Sequence, residues 1–252
     1  MIISHRYRYV FVELPRTGST AVSAELRLQY DGEPILRKHA TYSDFLRQAS
    51  EDESKYFVFS TVRNPLDVAV TRYVHLRENP RGHFTAPDEI AVRNALAGRL
   101  ERRVYRWLHR HDATFEKFLL RWYLVPYDTW SSLDHKRMDH VMRYESLASD
   151  FEEVLRRLGI EPVRPLPARN VTPGKDSDFA SYYTPRAVAR ARWIFGPYMQ
   201  EWAYAFPESW EPRDVPLRAK LYMRIARVFR RLYWANFRYF DYVRRPVQKT
   251  ST

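Results

Sequence analysis

The 252-residue sequence contains no cysteine. This absence excludes disulfide bonds, thiolate nucleophiles and metal sites with sulfur ligands. The sequence has no run of about 18 apolar residues, so no segment is long enough to cross a bilayer as a helix. Its first residues lack the basic, apolar and small-residue regions of a signal peptide, and we therefore expect a cytoplasmic protein.

Acidic residues are fewer than basic ones. The sequence has 30 Asp and Glu against 42 Lys and Arg, which gives a net charge of +12 and a pI near 9.9. Such a surplus favours an anionic partner, which could be a phosphorylated nucleotide, an acidic glycan, a nucleic acid or an anionic lipid. The length and the hydrophobic content of 45% suit a globular protein with a sizeable core.

Apolar segments rich in β-branched and aromatic residues predict strands at 9–14 and 56–62. A third strand is predicted at 139–145 and a short edge strand at 35–40. Helices are predicted at 21–26, 41–46, 66–75, 88–107, 113–123, 150–158, 184–204 and 215–243, and the helix at 41–46 is predicted to have a capped start. Strands that alternate with helices predict an α/β fold with a parallel sheet flanked by helices. The ligand crevice of such a fold lies at the carboxyl ends of the strands.

A short loop of small and polar residues joins the first strand to the first helix. Free N–H groups at a helix N-terminus bind anions, and the helix dipole favours negative charge there. The loop lacks the spacing of a Walker A motif and suits one tetrahedral oxyanion group. Gly18 permits close backbone approach, Thr17, Ser19 and Thr20 carry hydroxyls, and Arg16 is a permanent cation. A plain turn is the alternative interpretation.

A second polar motif follows the strand at 56–62. Arg63 stands at the strand end, Pro65 begins a helix, and Thr71 follows Arg63 by eight residues. A guanidinium and a hydroxyl could hold a second phosphate. Because both motifs follow strands of one predicted parallel sheet, we expect them to face one pocket that binds a nucleotide charged at its 5′ and 3′ positions.

The two motifs together resemble a known family. The segment 15–20 is similar to the 5′-phosphosulfate loop, and 63–73 to the 3′-phosphate motif, of sulfotransferases that use 3′-phosphoadenosine 5′-phosphosulfate (PAPS). The likeness extends to 38–41, 143–147, 159–160 and 182–184, and it is strongest to the carbohydrate, heparan-type branch. The resemblance implies a P-loop NTPase-like fold. Two positions depart from it, since many members have lysine at Arg16 and serine at Thr71.

The resemblance also implies residue roles and requires no metal. His39 would be the general base, with Glu145 as the second choice, and Arg16 would stabilise the leaving group. The residues implied to bind PAPS are Arg16, Thr17, Gly18, Ser19, Thr20, Arg63, Thr71, Arg169 and Lys175. A solvated loop lysine is the alternative for Lys175. A surface pair is favoured over metal ligation for the spaced histidines His109 and His111, because no acidic partner is in register.

The acceptor implied by the family is a hydroxyl on a carbohydrate or glycolipid, and no nucleic-acid partner is expected. The aromatic and basic region 79–135 is where acceptor specificity would reside. One alternative function is a nucleotide or small-molecule kinase, which would need ATP and Mg²⁺. Another is a basic protein without catalysis that binds an anionic polymer.

The chain divides in this interpretation into a sulfotransferase domain at 1–212 and an extension at 213–252. Apolar and basic residues recur at helical spacing in the extension, which predicts a basic amphipathic helix. The helix could dock on the domain core, form a homo-oligomer, or make peripheral contact with an anionic membrane through 217–243.

Overall fold

The computed structural model describes residues 1–80, 82, 84, 85, 95–127, 134–167 and 174–236, with the backbone alone for 95–99 and 233–236. The described residues form two compact units built from alternating stretches of the chain. Those of the first unit lie within Met1–Val62, Asp128–Pro167 and Arg224–Thr252, and those of the second within Arg63–Tyr127 and Ala168–Met223. The predicted division at residue 212 stays a prediction.

The first unit contains the sheet. Its strands in the described residues are β1 (Ile2–Ser4), β2 (Tyr9–Val12), β3 (Glu33–Pro34), β4 (Phe57–Val62) and β5 (His140–Arg143), in the order β3-β1-β2-β4-β5. Parallel pairs join β2 to β4 and β4 to β5, whereas β1 is antiparallel to β2 and β3. The α/β class is confirmed, but the sheet is mixed and the purely parallel prediction was wrong. The link 5–8 between β1 and β2 is a hairpin, and a parallel crossover needs about a dozen residues.

The predicted edge strand at 35–40 was also wrong. The edge strand is β3, and the chain at 35–40 is irregular. Leu36 and His39 have φ angles of 52° and 65° there, which no strand accommodates. The predicted strand at 139–145 is shorter, because Tyr144–Ser146 form a 3₁₀ turn directly after β5.

The helices are α1 (Ser19–Gln29), α2 (Tyr42–Leu46), α3 (Pro65–Glu78), α4 (Ala95–Arg110), α5 (Phe115–Trp122), α6 (Leu147–Arg157), α7 (Pro185–Glu201) and α8 (Leu217–Asn236). Each predicted helix has a counterpart, although 88–94 and 237–243 lie outside the described residues. Helix α6 begins earlier than predicted. Asp150 does not begin this helix; its carboxylate accepts a hydrogen bond from the backbone N–H of Arg143.

Alternate residues of β2 pack on opposite faces of the sheet. Tyr9 and Phe11 lie in a cluster with α1 and α6, whereas Val10 and Val12 lie in a cluster with α2. This separation follows from the period of two in a strand. A strand covered on both faces reads as a continuous apolar run, which is why β2 and β4 were recognisable in the sequence.

The described part of the second unit is helical. Its core joins α3, α4, α5 and α7 and is rich in aromatic rings. Phe115, for example, meets Tyr183 edge to face with ring centroids 4.8 Å apart. Such offset and edge-to-face pairs add to the free energy gained by burying the rings. The aromatic part of the 79–135 region therefore contributes to a packed core as well as to the surface.

Helix α8 leaves most of the surface of its large apolar residues exposed. Ala219 and Met223 are its buried side chains, whereas Leu217, Leu221 and Ile225 are exposed. The helix therefore docks on the protein through Ala219 and Met223, whereas its oligomeric and membrane contacts stay predictions. None of the described helices combines the length and apolar character needed to cross a bilayer.

The capped start predicted for the helix at 41–46 is confirmed and offers a stability test. The Thr41 hydroxyl accepts a hydrogen bond from the Asp44 N–H, and the Asp44 carboxylate accepts one from the Thr41 N–H. Thr41→Ala leaves a helix N–H without its acceptor, so we expect the free energy of unfolding to fall by about 1 kcal/mol. Urea denaturation measures the change. The control Thr41→Ser keeps the hydroxyl and should lose much less; equal losses would contradict the capping role.

Candidate functional site

The loop between β2 and α1 has two residues in the left-handed backbone region. Gly18 is the N-cap of α1 with φ 76° and ψ 1°, and Arg16 has φ 64°. Arginine in this region is strained, and such strain clusters at functional sites. The side chains of Tyr144 and Leu147 pack closely over Gly18, so a larger residue would not fit there.

The hydroxyls of Thr17 and Ser19 point into the protein. Both donate hydrogen bonds to the carbonyl oxygen of Leu14, at 2.9 and 2.8 Å. The Thr17 hydroxyl also forms a short hydrogen bond with that of Thr61 at the end of β4. Since the Thr17 proton is already directed to Leu14, Thr61 is the donor in this pair. These hydroxyls hold the loop in place and have no proton left for an anion.

The groups that can meet an anion at the loop are therefore different ones. The first backbone N–H groups of a helix have no intrahelical acceptor. Thr20 is exposed, and the Lys38 ammonium donates a hydrogen bond to its hydroxyl at 3.3 Å. Sequence reasoning had not assigned Lys38 to the loop. Its position next to His39 was the only signal, and spacing alone cannot show that its side chain reaches Thr20.

His39 is held in one tautomer. Its Nδ1 lies 3.0 Å from the carbonyl oxygen of Glu13, which can only accept a hydrogen bond. Nδ1 therefore carries the proton, and Nε2 presents a lone pair. Burial lowers the pKa of His39 from its ordinary value, although the hydrogen bond to Glu13 opposes this shift. The imidazole is thus neutral at neutral pH, as a general base must be.

The Glu13 carboxylate keeps this support rigid. It accepts hydrogen bonds from the Ser23 hydroxyl at 2.7 Å and from the amino group of Met1 at 2.5 Å, and it is buried. Glu145, the second choice for the base, is exposed, in contrast to the half-buried His39. The choice between the two residues stays a prediction, and the hydrogen bond to the Glu13 carbonyl fixes the orientation of His39.

The second unit contains a separate cationic cluster around Asp67. The Arg63 guanidinium donates to the Asp67 carboxylate through Nε at 2.8 Å and lies 2.6 Å from it through Nη2. Lys175 contacts the other carboxylate oxygen at 2.5 Å, and only 13% of its side chain is exposed. Lys175 is therefore not a solvated loop lysine. Two cations and one carboxylate leave this buried cluster with a net positive charge.

Thr71 lies one helical turn after Asp67 on the same face of α3. It is 6% exposed, and within the described residues its hydroxyl has no hydrogen-bond partner. A buried hydroxyl without a partner is costly and calls for an explanation. A missing anionic ligand that accepts its hydrogen bond would supply one.

The remaining predicted positions are less informative. Arg169 lies outside the described residues. His109 and His111 each form a hydrogen bond with a backbone carbonyl, of Leu76 and Trp107 respectively. Over the described ranges, no group of three or more His, Asp or Glu residues is placed to hold a metal. The expectation that both anion motifs face one pocket stays a prediction.

Comparison with known proteins gives one match. A family model described as a sulfotransferase domain matches residues 19–159, which is more than half of the chain. The match includes His39, Arg63 and Thr71 but not Arg16 or Lys175. No curated protein and no solved structure matched the chain.

The close packing over Gly18 gives a test of the loop. In Gly18→Ala, the new Cβ would lie 2.5 Å from Leu147 Cδ2 and 3.1 Å from Tyr144 Cδ2, in a backbone conformation with positive φ. Gly159→Ala is the matched control, since Gly159 has φ 70° and nothing within 4 Å of the added Cβ. We expect the control to lose about 1–2 kcal/mol of unfolding free energy from backbone strain alone.

Gly18→Ala should lose clearly more unfolding free energy than the control, because a steric clash adds to the same strain. Thermal and urea unfolding of both variants measure the difference. Equal losses in the two variants would show that the packing of Tyr144 and Leu147 over the loop is not as described.

Proposed function

We propose, from the premise that the chain belongs to the sulfotransferase domain family, that it transfers a sulfuryl group from PAPS to a hydroxyl of a carbohydrate or glycolipid. Family membership supports a transferase that moves sulfuryl groups in general. The donor, the acceptor class and the roles of individual residues belong to the proposal.

The buried cluster in the second unit carries the proposal. Arg63 and Lys175 are held by one carboxylate, and the Thr71 hydroxyl has no partner among the described residues. A phosphate fits this set because it accepts hydrogen bonds only and brings the negative charge that the cluster lacks. We assign these residues to the 3′-phosphate of PAPS. Asp67 keeps both cations in position before the ligand binds.

The loop of the first unit suits the 5′ end of the same donor. The N-terminal N–H groups of α1, the exposed Thr20 hydroxyl and the Lys38 ammonium are the groups available to phosphosulfate oxygens. Arg16 keeps its charge at all working pH values, so it can stabilise negative charge on the leaving oxygen but cannot readily protonate it. Gly18 allows close approach of the backbone.

His39 would accept the proton of the acceptor hydroxyl at Nε2. Bound PAPS supplies the sulfuryl group: the acceptor oxygen forms a bond to sulfur, and the bond from sulfur to the bridging phosphate oxygen breaks, that oxygen leaving with the electron pair on 3′,5′-adenosine bisphosphate (PAP). The hydrogen bond to Glu13 holds the imidazole in the tautomer required for proton transfer. General base catalysis of this kind contributes about 10²–10⁴-fold in rate.

A carbohydrate acceptor with acidic substituents is supported by a cationic side chain in the second unit. The Arg121 guanidinium lies over the rings of Trp107 and Trp122, at 5.3 and 5.6 Å from their centroids. The guanidinium can bind carboxylate or sulfate substituents of an acidic glycan, while the indole rings hold it in place. The acceptor hydroxyl itself is not specified by these contacts.

Replacement of Thr71 tests the 3′-phosphate assignment. Thr71→Val keeps the shape of the side chain but removes a hydroxyl that has no partner within the described structure. We expect the free protein to be as stable as the parent or more so. We expect calorimetry to show an affinity for PAP that is lower by about 10–100-fold, because a hydrogen bond to a charged group is lost.

The controls isolate the 3′ group. Thr71→Ser keeps the hydroxyl and should retain most of the affinity for PAP. Adenosine 5′-monophosphate lacks the 3′-phosphate, so its affinity should be the same for the parent and for Thr71→Val. A loss that is equal for both nucleotides, or no loss for either, would refute the assigned 3′-phosphate contact.

The pH dependence of turnover tests His39. Since burial lowers the pKa of His39 below 6.5, the proton-free form is present at neutral pH, and kcat should fall only as the pH drops through that lowered pKa. His39→Asn suits the backbone at φ 65°, because asparagine tolerates the left-handed region. We expect it to reduce kcat by about 10²–10⁴-fold and to abolish the acidic limb of the pH profile.

Nucleotide binding provides the control for this variant. PAP should bind His39→Asn as tightly as the parent, which would separate loss of proton transfer from loss of the donor site. The assay runs in EDTA to remove divalent ions. Normal turnover in His39→Asn, with loss of turnover in Glu145→Gln, would assign the base to Glu145.

A further inference from the structure

Helix α8 presents three different faces around its circumference. Ala219 and Met223 lie on the face buried against the protein, with exposed fractions of 0% and 3%. Small and flexible side chains let the helix backbone approach the protein closely. The large apolar side chains of this helix point elsewhere.

An exposed apolar stripe runs along the helix. It consists of Leu217, Leu221, Tyr222, Ile225, Val228, Phe229 and Leu232, whose exposed fractions range from 48% to 80%. At about 100° per residue these side chains span about 140° of the helix circumference. Isolated exposed apolar residues are normal in proteins, but a contiguous patch of this length marks an interaction surface.

Cations of the helix border the apolar stripe along one edge. The edge of the stripe marked by Leu217 is followed, on the side away from the other apolar residues, by Lys220, Arg224, Arg227 and Arg231. Arg218 falls within the arc of the stripe, about 100° from Leu217, and its guanidinium lies over the ring of Trp193, at 5.2 Å from the centroid. The helix sequence 217–236 contains no Asp or Glu.

A cleft of about 690 Å³ opens next to Arg218. It is lined by Leu120, Arg186, Ala189, Arg190, Trp193, Arg218 and Tyr222. Three guanidinium groups therefore lie beside an aromatic pair, since Trp193 and Tyr222 meet edge to face at 5.7 Å. Glu116 pairs with Arg186 at 3.5 Å and offsets one of these charges. The cleft remains cationic and adjoins the stripe at Tyr222, on the edge opposite the basic border.

We propose that this face of α8 binds the surface of an anionic phospholipid bilayer. The helix lies parallel to the surface, with the apolar stripe among the acyl chains nearest the headgroups. The bordering cations and the cleft receive lipid phosphates. This division into an apolar stripe, an aromatic edge and a cationic border is what an interfacial helix requires. The proposal is independent of sulfuryl transfer.

Charge favours a membrane over a second copy of the chain. In a symmetric dimer through this face, the same surface meets itself, so cations of one copy would face cations of the other. No acidic residue in 217–236 could compensate for this repulsion. An anionic bilayer attracts these cations instead of repelling them.

Vesicle sedimentation with the full chain, without any nucleotide, tests the proposal. The vesicles are phosphatidylcholine alone or a mixture of phosphatidylcholine and phosphatidylglycerol. We expect binding to the anionic vesicles, weakened by salt, and much less binding to the neutral ones. The variant Leu221→Glu with Val228→Glu should reduce binding to the anionic vesicles by on the order of tenfold or more.

A matched pair of substitutions elsewhere is the control. Leu28→Glu with Val163→Glu makes the same chemical change at side chains that are equally exposed: 62% and 62%, against 57% and 58% for Leu221 and Val228. This control adds the same two carboxylates but leaves the stripe on α8 intact. It should therefore bind the anionic vesicles within about twofold of the parent protein. In addition, Arg224→Gln should weaken binding by roughly fivefold, as expected for one cation at an anionic surface.

Three outcomes would overturn the proposal. The first is that the wild-type protein does not bind anionic vesicles. The second is that Leu221→Glu with Val228→Glu and the control Leu28→Glu with Val163→Glu lose binding equally. The third is a wild-type dimer that Leu221→Glu with Val228→Glu converts to a monomer while vesicle binding is absent. In that case the stripe is an interface between copies of the chain.

Discussion

Two consecutive backbone carbonyls at the end of β2 organise the first unit's site. The Leu14 carbonyl accepts the hydroxyl protons of Thr17 and Ser19, and the Glu13 carbonyl accepts the Nδ1 proton of His39. Carbonyls that leave a strand without a ladder partner must find donors elsewhere. Here the donors they find are the anion loop and the candidate base, so one short segment sets the position of both.

This arrangement changes how the loop can work. The hydroxyl groups of Thr17 and Ser19 stabilise the loop and are not available to a ligand. An anion would therefore be bound by backbone N–H groups, Thr20 and Lys38. Backbone donors need no reorganisation when negative charge develops, which is the condition for electrostatic catalysis. Strained positions at Arg16 and His39 are consistent with a loop whose geometry is imposed by these hydrogen bonds.

Positive charge is distributed over separate surfaces with different surroundings. Around Asp67 the cations are buried and already paired. The free-energy costs of desolvating and ordering these side chains therefore arise during folding and not when a phosphate binds. Along α8 the cations are mostly exposed and border apolar side chains. The first environment suits one defined ligand, and the second suits an extended, fluid surface. A net charge of +12 does not by itself distinguish these two uses.

The sequence by itself determined the α/β class, the strands β2 and β4, the cap of α2 and the family, because these depend on local periodicity, capping chemistry and motif order. Tertiary structure alone decided the antiparallel β1 and the inward direction of the Thr17 hydroxyl. It also decided the His39 tautomer and the pairing of Lys175 with Asp67, whose residues are separated by more than a hundred positions. The reason is physical: hydrogen-bond partners and exposure depend on which distant segments meet, and on α8 the same apolar pattern suits burial or exposure until its neighbours are known.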